Sequence, residues 1–168
     1  TTIKNIRMRE TIEEQKSRVN EYDQFLGQTL GEALLEPTKI YVKPVMEMLD
    51  SGIDLKAMVH ITSGGFCNLN RVESDDIRFV IDTLQPVHKI FNLIQDRGGV
   101  SEAEMFEVFN MGTGFCLVVE SANEVEAITK ICQTHNLPCQ VIGQIEGCQG
   151  KEVLLPQKQL TGKGSRFT

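Results

Sequence analysis

The stretch His60-Ile61-Thr62-Ser63-Gly64-Gly65-Phe66-Cys67-Asn68-Leu69-Asn70-Arg71-Val72 follows an apolar run, residues 55–59, that predicts a buried strand. The chain then turns through Thr62, Ser63 and two glycines into a segment able to open a helix. A strand, a small-residue loop and a helix start together make an anion site. Two glycines let the backbone come close to a ligand. Free N–H groups at a helix start point outward with a favourable dipole. The hydroxyls of Thr62 and Ser63 add donors, so a phosphorylated small molecule suits the pocket. Strand-to-helix connections of this composition are also common where nothing binds. A lone His60 is more often a partly buried structural residue than a catalytic one. If the segment after the loop is helical, Asn68 and Arg71 share a face. Arg71 then reaches either a phosphate or carboxylate of a ligand, or a local acid such as Glu73 or Asp75.

Outward from this stretch, strands and helices alternate. Upstream, residues 1–24 are polar and charged, with a weakly amphipathic helix expected over 9–22. They form either a mobile arm or an arm that packs on a partner. Apolar residues at 26, 30, 34 and 35 predict a helix over 25–35 that Pro37 stops. Residues 38–42 read as extended, and a helix over 45–49 begins near Pro44 and ends at Gly52. Lys39 and Tyr41 either face a ligand or are, respectively, solvated and core. Downstream, 77–81 is a short apolar strand, and 86–97 is a helix ended by Gly98-Gly99.

Ser101-Glu102-Ala103-Glu104 and Ser121-Ala122-Asn123-Glu124 are capping boxes that open helices to about 109 and 134. Asn110-Met111-Gly112-Thr113-Gly114 separates the first of these from an apolar strand, 115–119. Its G-x-G lacks the third glycine and the strand-then-helix order of a dinucleotide fingerprint. Residues 139–145 alternate, and 152–155 is expected to pair back on them as a hairpin. Residues 161–168 are expected to fray. The order predicts an α/β (α+β) fold with a mixed sheet covered by helices.

Composition bounds the function. The chain has 168 residues, enough for one domain with a real core. Net charge is −6 without a long basic block, which argues against general nucleic-acid binding. The five cysteines are an odd number and none forms a C-x-x-C pair, so neither a disulfide framework nor a zinc site is expected. Reduced thiols, and the lack of a signal peptide or spanning stretch, fit a cytoplasmic protein away from membranes. The chain begins at Thr1, without an initiator methionine, as a processed protein, a cloned domain or a fragment would.

Three segments carry a family resemblance, in the same order. Residues 60–65 resemble the His-Ile-Thr-Gly-Gly-Gly loop of aminoimidazole ribonucleotide synthase, also called phosphoribosylformylglycinamidine cyclo-ligase. Leu30-Gly31-Glu32-Ala33-Leu34-Leu35-Glu36-Pro37-Thr38-Lys39-Ile40-Tyr41-Val42-Lys43-Pro44 resembles the segment leading into that family's C-terminal domain. Glu104-Met105-Phe106-Glu107-Val108-Phe109-Asn110-Met111-Gly112-Thr113-Gly114-Phe115 resembles its Glu-Met-(aromatic)…Phe-Asn-Met-Gly-x-Gly segment. The likeness covers about residues 26–156, the C-terminal half of the enzyme. It implies a three-layer, loosely ferredoxin-like arrangement over residues 25–160.

The resemblance also implies a role as one wall of the active site for ATP-dependent imidazole ring closure in purine biosynthesis. Thr62, Ser63, Gly64 and Gly65 would hold an anionic part of the substrate, its ribose 5-phosphate. His60, Asn68, Arg71, Asn110, Met111 and Gly112 would line the cleft, with His60 the candidate for proton transfer. ATP and Mg2+ would be bound mainly by an N-terminal half that this sequence does not contain, so no metal ligand is expected here. That half, a phosphorylated ribonucleotide and self-association through an uncovered apolar face are the implied partners. Two departures stand out. Ser63 replaces the first loop glycine, which would be strained if the position needs φ > 0. Lys39 replaces a frequent arginine, keeping the charge but losing the bidentate fork. Other readings are a stand-alone module that binds a phosphorylated metabolite or a partner, and another enzyme of the superfamily. Formylglycinamidine ribonucleotide synthase, selenophosphate synthetase and thiamine-phosphate kinase share the architecture. The 34–41 and 109–112 segments favour the synthase over them.

Overall fold

The computed structural model describes residues 11–168; residues 1–10, and with them the start of the expected N-terminal helix, lie outside the described residues. In chain order the elements are α1 (Ile12–Asn20), β1 (Tyr22–Asp23), β2 (Gln28–Thr29), α2 (Leu30–Leu34), α3 (Val42–Asp50), β3 (Ala57–His60), a 3-10 helix (Gly65–Arg71), β4 (Ile77–Ile81), α4 (Lys89–Gly98), α5 (Glu102–Val108), β5 (Phe115–Val118), α6 (Ala122–Thr134), β6 (Gly143–Gly147), β7 (Lys151–Leu155), a 3-10 turn (Pro156–Lys158), β8 (Leu160–Lys163) and β9 (Arg166–Phe167). The chain divides into two units, residues up to Thr38 with His88–Val100, and Lys39–Val87 with Ser101–Thr168. Among the described residues no helix is long and apolar enough to cross a membrane.

In the first unit, Thr11 caps α1 and Thr29 caps α2, each through a full capping box with a glutamate three residues on. The single helix expected over 25–35 is replaced by the β1–β2 hairpin and the short α2. Asp23 is the reason. Its carboxylate accepts the Phe25 and Leu26 amides, and Gly27, at φ +75°, closes the turn. Asp23 is held in turn by Arg97 on α4.

The second unit is a mixed α/β fold. Its five-stranded sheet runs β6-β4-β7-β8-β9, with β4 and β7 parallel and every other pair antiparallel. β3 and β5 form a separate antiparallel pair. The core is led by Phe66, Phe106, Ile61, Leu69, Met105, Val153 and Leu155, all almost fully buried. A second cluster joins Met48 of α3 to Ile128 and Cys132 of α6. The α6 capping box forms in full, but at α5 only the Ser101 half is present.

Three sequence expectations fail in this unit. The segment 38–42 is not a strand, because Val42 already starts α3. β7 does not pair with β6 as a hairpin; β4, whose Phe79 and Ile81 are buried, lies between them. Asp76 keeps that connection open, its carbonyl accepting the Cys148 amide and its carboxylate the Gly150 amide. The stretch 161–168 does not fray. It forms β8 and β9, buries Phe167, and is fastened by the Phe167 amide donating to Glu107 at 2.7 Å. Gly162, beneath the Phe167 ring, is too close to it for a side chain.

Candidate functional site

β3 delivers the glycine loop because Ala57–His60 pairs residue for residue with β5, and the Ile61 amide extends the pairing by donating to the Gly114 carbonyl. Beyond it the backbone must turn at once. Gly64 (φ +99°) and Gly65 (φ +50°) make that turn in conformations that favour glycine. Gly65 has a second reason: a Cβ there would stand 1.9 Å from the Phe106 carbonyl oxygen of α5. Ser63 is outside the left-handed region, so the strain expected of a serine at positive φ does not arise.

The loop's polarity is set by Asn68. This side chain is 1% exposed, and its Nδ2 donates to the carbonyls of Thr62 (3.2 Å), Ser63 (3.3 Å) and Gly65 (3.0 Å). In a trans peptide the C=O and N–H of one unit point in opposite directions. Drawing the Thr62 and Ser63 carbonyls inward therefore turns the Ser63 and Gly64 amides outward. Neither amide, nor the hydroxyl of Thr62 or Ser63, donates to any group among the described residues. Two adjacent amides are thus turned away from Asn68, next to the exposed side chains of Thr62 and Ser63. The expected helix start is a seven-residue 3-10 helix, so the loop amides rather than a helix dipole give the site its donors.

Arg71 is exposed at the end of that helix, and the ion pair with Glu73 or Asp75 does not form. With Gly64, Cys67, Asn68, Asn70, Gly164 and Ser165 it lines a cleft of about 380 Å3 beside the loop. The last two come from the β8–β9 turn, which Asn70 holds by donating to the Gly164 carbonyl at 3.1 Å. Sequence reasoning missed this wall, since nothing in a Gly-Lys-Gly-Ser tail signals that Phe167 anchors it.

The other expected residues are placed differently. His60 is exposed, on the strand before the loop, with its ring 6.3 Å from Tyr41 and 6.1 Å from Phe115. Tyr41 rests on Gly114, its hydroxyl 2.0 Å from where a Cβ would be, and partial burial raises its pKa. Lys39 is solvated. Asn110, Met111 and Gly112 do not line the cleft. Asn110 accepts the Gly112 amide in an Asx turn and Met111 is buried at φ +49°. Their segment meets the loop through backbone, where the Phe109 carbonyl lies against Gly65. Among the described residues no three His, Cys, Asp or Glu side chains converge as a metal site. Burial pushes the Cys67 thiol up to about 11 and Cys116 up to about 12, so neither supplies a thiolate near neutral pH.

The family described as AIR synthase related protein, C-terminal domain, matches residues 6–155. The chain belongs to that family. The match takes in most of the stretch read as an N-terminal arm. Among curated relatives, the phosphoribosylformylglycinamidine cyclo-ligase of Methanococcus maripaludis (strain C6) is 48% identical over 120 residues, 71% of this chain and 34% of that protein. The cyclo-ligase of Methanocaldococcus jannaschii is 45% identical over the same shares. That of Alkaliphilus metalliredigens is 42% identical over 151 residues, 88% of this chain and 42% of that protein. As a member of the AIR synthase related C-terminal domain family, the chain spans about a third to two fifths of the length of these relatives.

Proposed function

We propose that this chain supplies the phosphate-holding wall of an ATP-dependent phosphoribosylformylglycinamidine cyclo-ligase, a ligase of purine biosynthesis working in the cytoplasm. The observation that carries the proposal is the outward pair of amides at Ser63 and Gly64, held by Asn68 and flanked by the Thr62 and Ser63 hydroxyls. Such a nest of donors suits a phosphate monoester, and Arg71 in the adjacent cleft adds the positive charge. Relatives named for this reaction, at 41–48% identity, supply the substrate class. In this reading residues 25–160 are the synthase-like domain with its three-layer arrangement, and residues 161–168 close the cleft from the far side.

Among the described residues no three His, Cys, Asp or Glu side chains converge, so nothing here supports a metal-binding role for them. In this reading an N-terminal half supplies most of the ATP and Mg2+ site, and no step through them is assigned to this chain. The chain's own part is to bind and orient. The loop fixes the 5-phosphate, and His60, exposed at the end of the strand that feeds the loop, is the candidate for proton transfer. The test is ring closure of formylglycinamidine ribonucleotide by the chain alone and with a separately expressed N-terminal half of a related synthase. Turnover only with the added half supports the proposal. No turnover in the mixture, with substrate binding retained, replaces it with a stand-alone binding module.

A further inference from the structure

A groove of about 620 Å3 runs along β5 in the second unit, between α3 and α6 on one side and β4 and β6 on the other. Its volume lies within the range of small-molecule sites. Residues 115–120 all line it in succession, so it follows the strand for roughly 16 Å. Phe79, Ile81, Met48 and Ile128 make its walls apolar. The charged residues on its wall, Lys56 and Glu120, pair with each other at 3.4 Å, and Lys56 also pairs with Asp54 at 2.5 Å. Lys56 is thus shared by two carboxylates, so the only cation on the wall among the described residues is already paired and offers nothing to an anionic ligand.

At the groove's Phe115 end the chemistry changes. Thr113 lines the groove and is only 6% exposed, and its hydroxyl has no hydrogen-bond partner. Tyr41, on the same wall, also has a hydroxyl that bonds to nothing among the described residues. Buried polar groups are costly to leave unpaired, and native structures rarely keep them without a reason. We propose that this groove is a second binding site, for an elongated, apolar molecule without negative charge that carries a hydrogen-bonding group at its Thr113 end. The site needs no phosphate and does not rest on the cyclo-ligase reading.

The test uses the full chain and N-phenyl-1-naphthylamine, a neutral aromatic fluorophore with one N–H donor. The expected result is saturable fluorescence enhancement at one probe per chain. Thr113→Val keeps the shape and removes the orphan hydroxyl, so it raises the melting temperature while weakening the probe about tenfold, the net value of one hydrogen bond. A merely structural threonine would move the two readouts together. Val125→Phe, which fills the groove from α6, abolishes binding. Ribose 5-phosphate does not compete. The proposal is overturned by non-saturable binding, by unchanged affinity in the Thr113→Val protein, by competition from ribose 5-phosphate, or by sedimentation showing that the probe binds only when a dimer dissociates.

Discussion

Asn68 shows how one side chain can serve a binding site in two ways. From sequence it reads as a cleft residue; in the fold it lines the cleft and also braces the loop from behind. Asn68→Asp keeps its volume but sets a carboxylate against the three carbonyls that Nδ2 now satisfies. We expect a loss of about 2 kcal/mol or more in urea unfolding, from the two hydrogen bonds that the amide's two hydrogens can make, at roughly 1 kcal/mol each. The neighbouring glycines sort by the same geometry. Gly65→Ala combines positive φ with a 1.9 Å contact to backbone, and should cost more than about 3 kcal/mol. Ser63→Gly, in contrast, should change stability by less than about 1 kcal/mol, since Ser63 is unstrained. If the Ser63 hydroxyl donates to phosphate, the same substitution weakens ribose 5-phosphate binding about fivefold in a calorimetric titration. Unchanged affinity would remove the hydroxyl from the site.

Among the elements, those whose cause is local were legible in the sequence. The Ser121–Glu124 box, the Gly99 stop of α4 and the apolar run of β4 all lie where pattern and capping put them. What the sequence concealed depends on distant partners. Nothing near Lys151–Leu155 says that β4 will slide between β7 and β6, and nothing near Phe167 says that Glu107 and Asn70 will hold the last strands down. Phe167→Ala should therefore cost about 3–5 kcal/mol, the range for a buried phenylalanine. A frayed tail would lose almost nothing on urea unfolding.

The same sheet has a built-in acid limb. Glu152 on β7 accepts Arg78 Nε at 2.6 Å and pairs with Lys163 Nζ at 3.3 Å, and Arg78 first, then Lys163, holds its carboxyl below the ordinary value of 4.5. A carboxyl with a lowered folded pKa stabilises the fold above its unfolded pKa, and this contribution is lost as pH falls through the folded one. The melting temperature should therefore drop as pH falls below about 4.5. Glu152→Gln should lower it at neutral pH and flatten that drop.

For the whole molecule, the uncovered surface matters as much as the loop. Val42, Met46 and Leu49 lie on one face of α3 at 67%, 50% and 43% exposure, an apolar stripe at helical spacing. A surface that exposes such a stripe should self-associate. Sedimentation should show a concentration-dependent rise in mass, and a strict monomer at high concentration would contradict this. Met46 and Leu49 fall in the helix that the sequence predicts, but Val42 falls in the segment expected to be extended, and whether anything covers the stripe is not legible there. Covering is a property of the assembled fold.

If the loop around Ser63 and Gly64 recognises a phosphate on a small ribonucleotide, calorimetric titration of the chain with formylglycinamidine ribonucleotide, and in parallel with the same nucleoside lacking its 5-phosphate, will show it. The nucleotide should bind saturably and one to one and the nucleoside at least tenfold more weakly, with the difference reduced in Arg71→Ala. Equal affinity for the two ligands, or a difference that survives Asn68→Asp in protein shown to be folded, would contradict it.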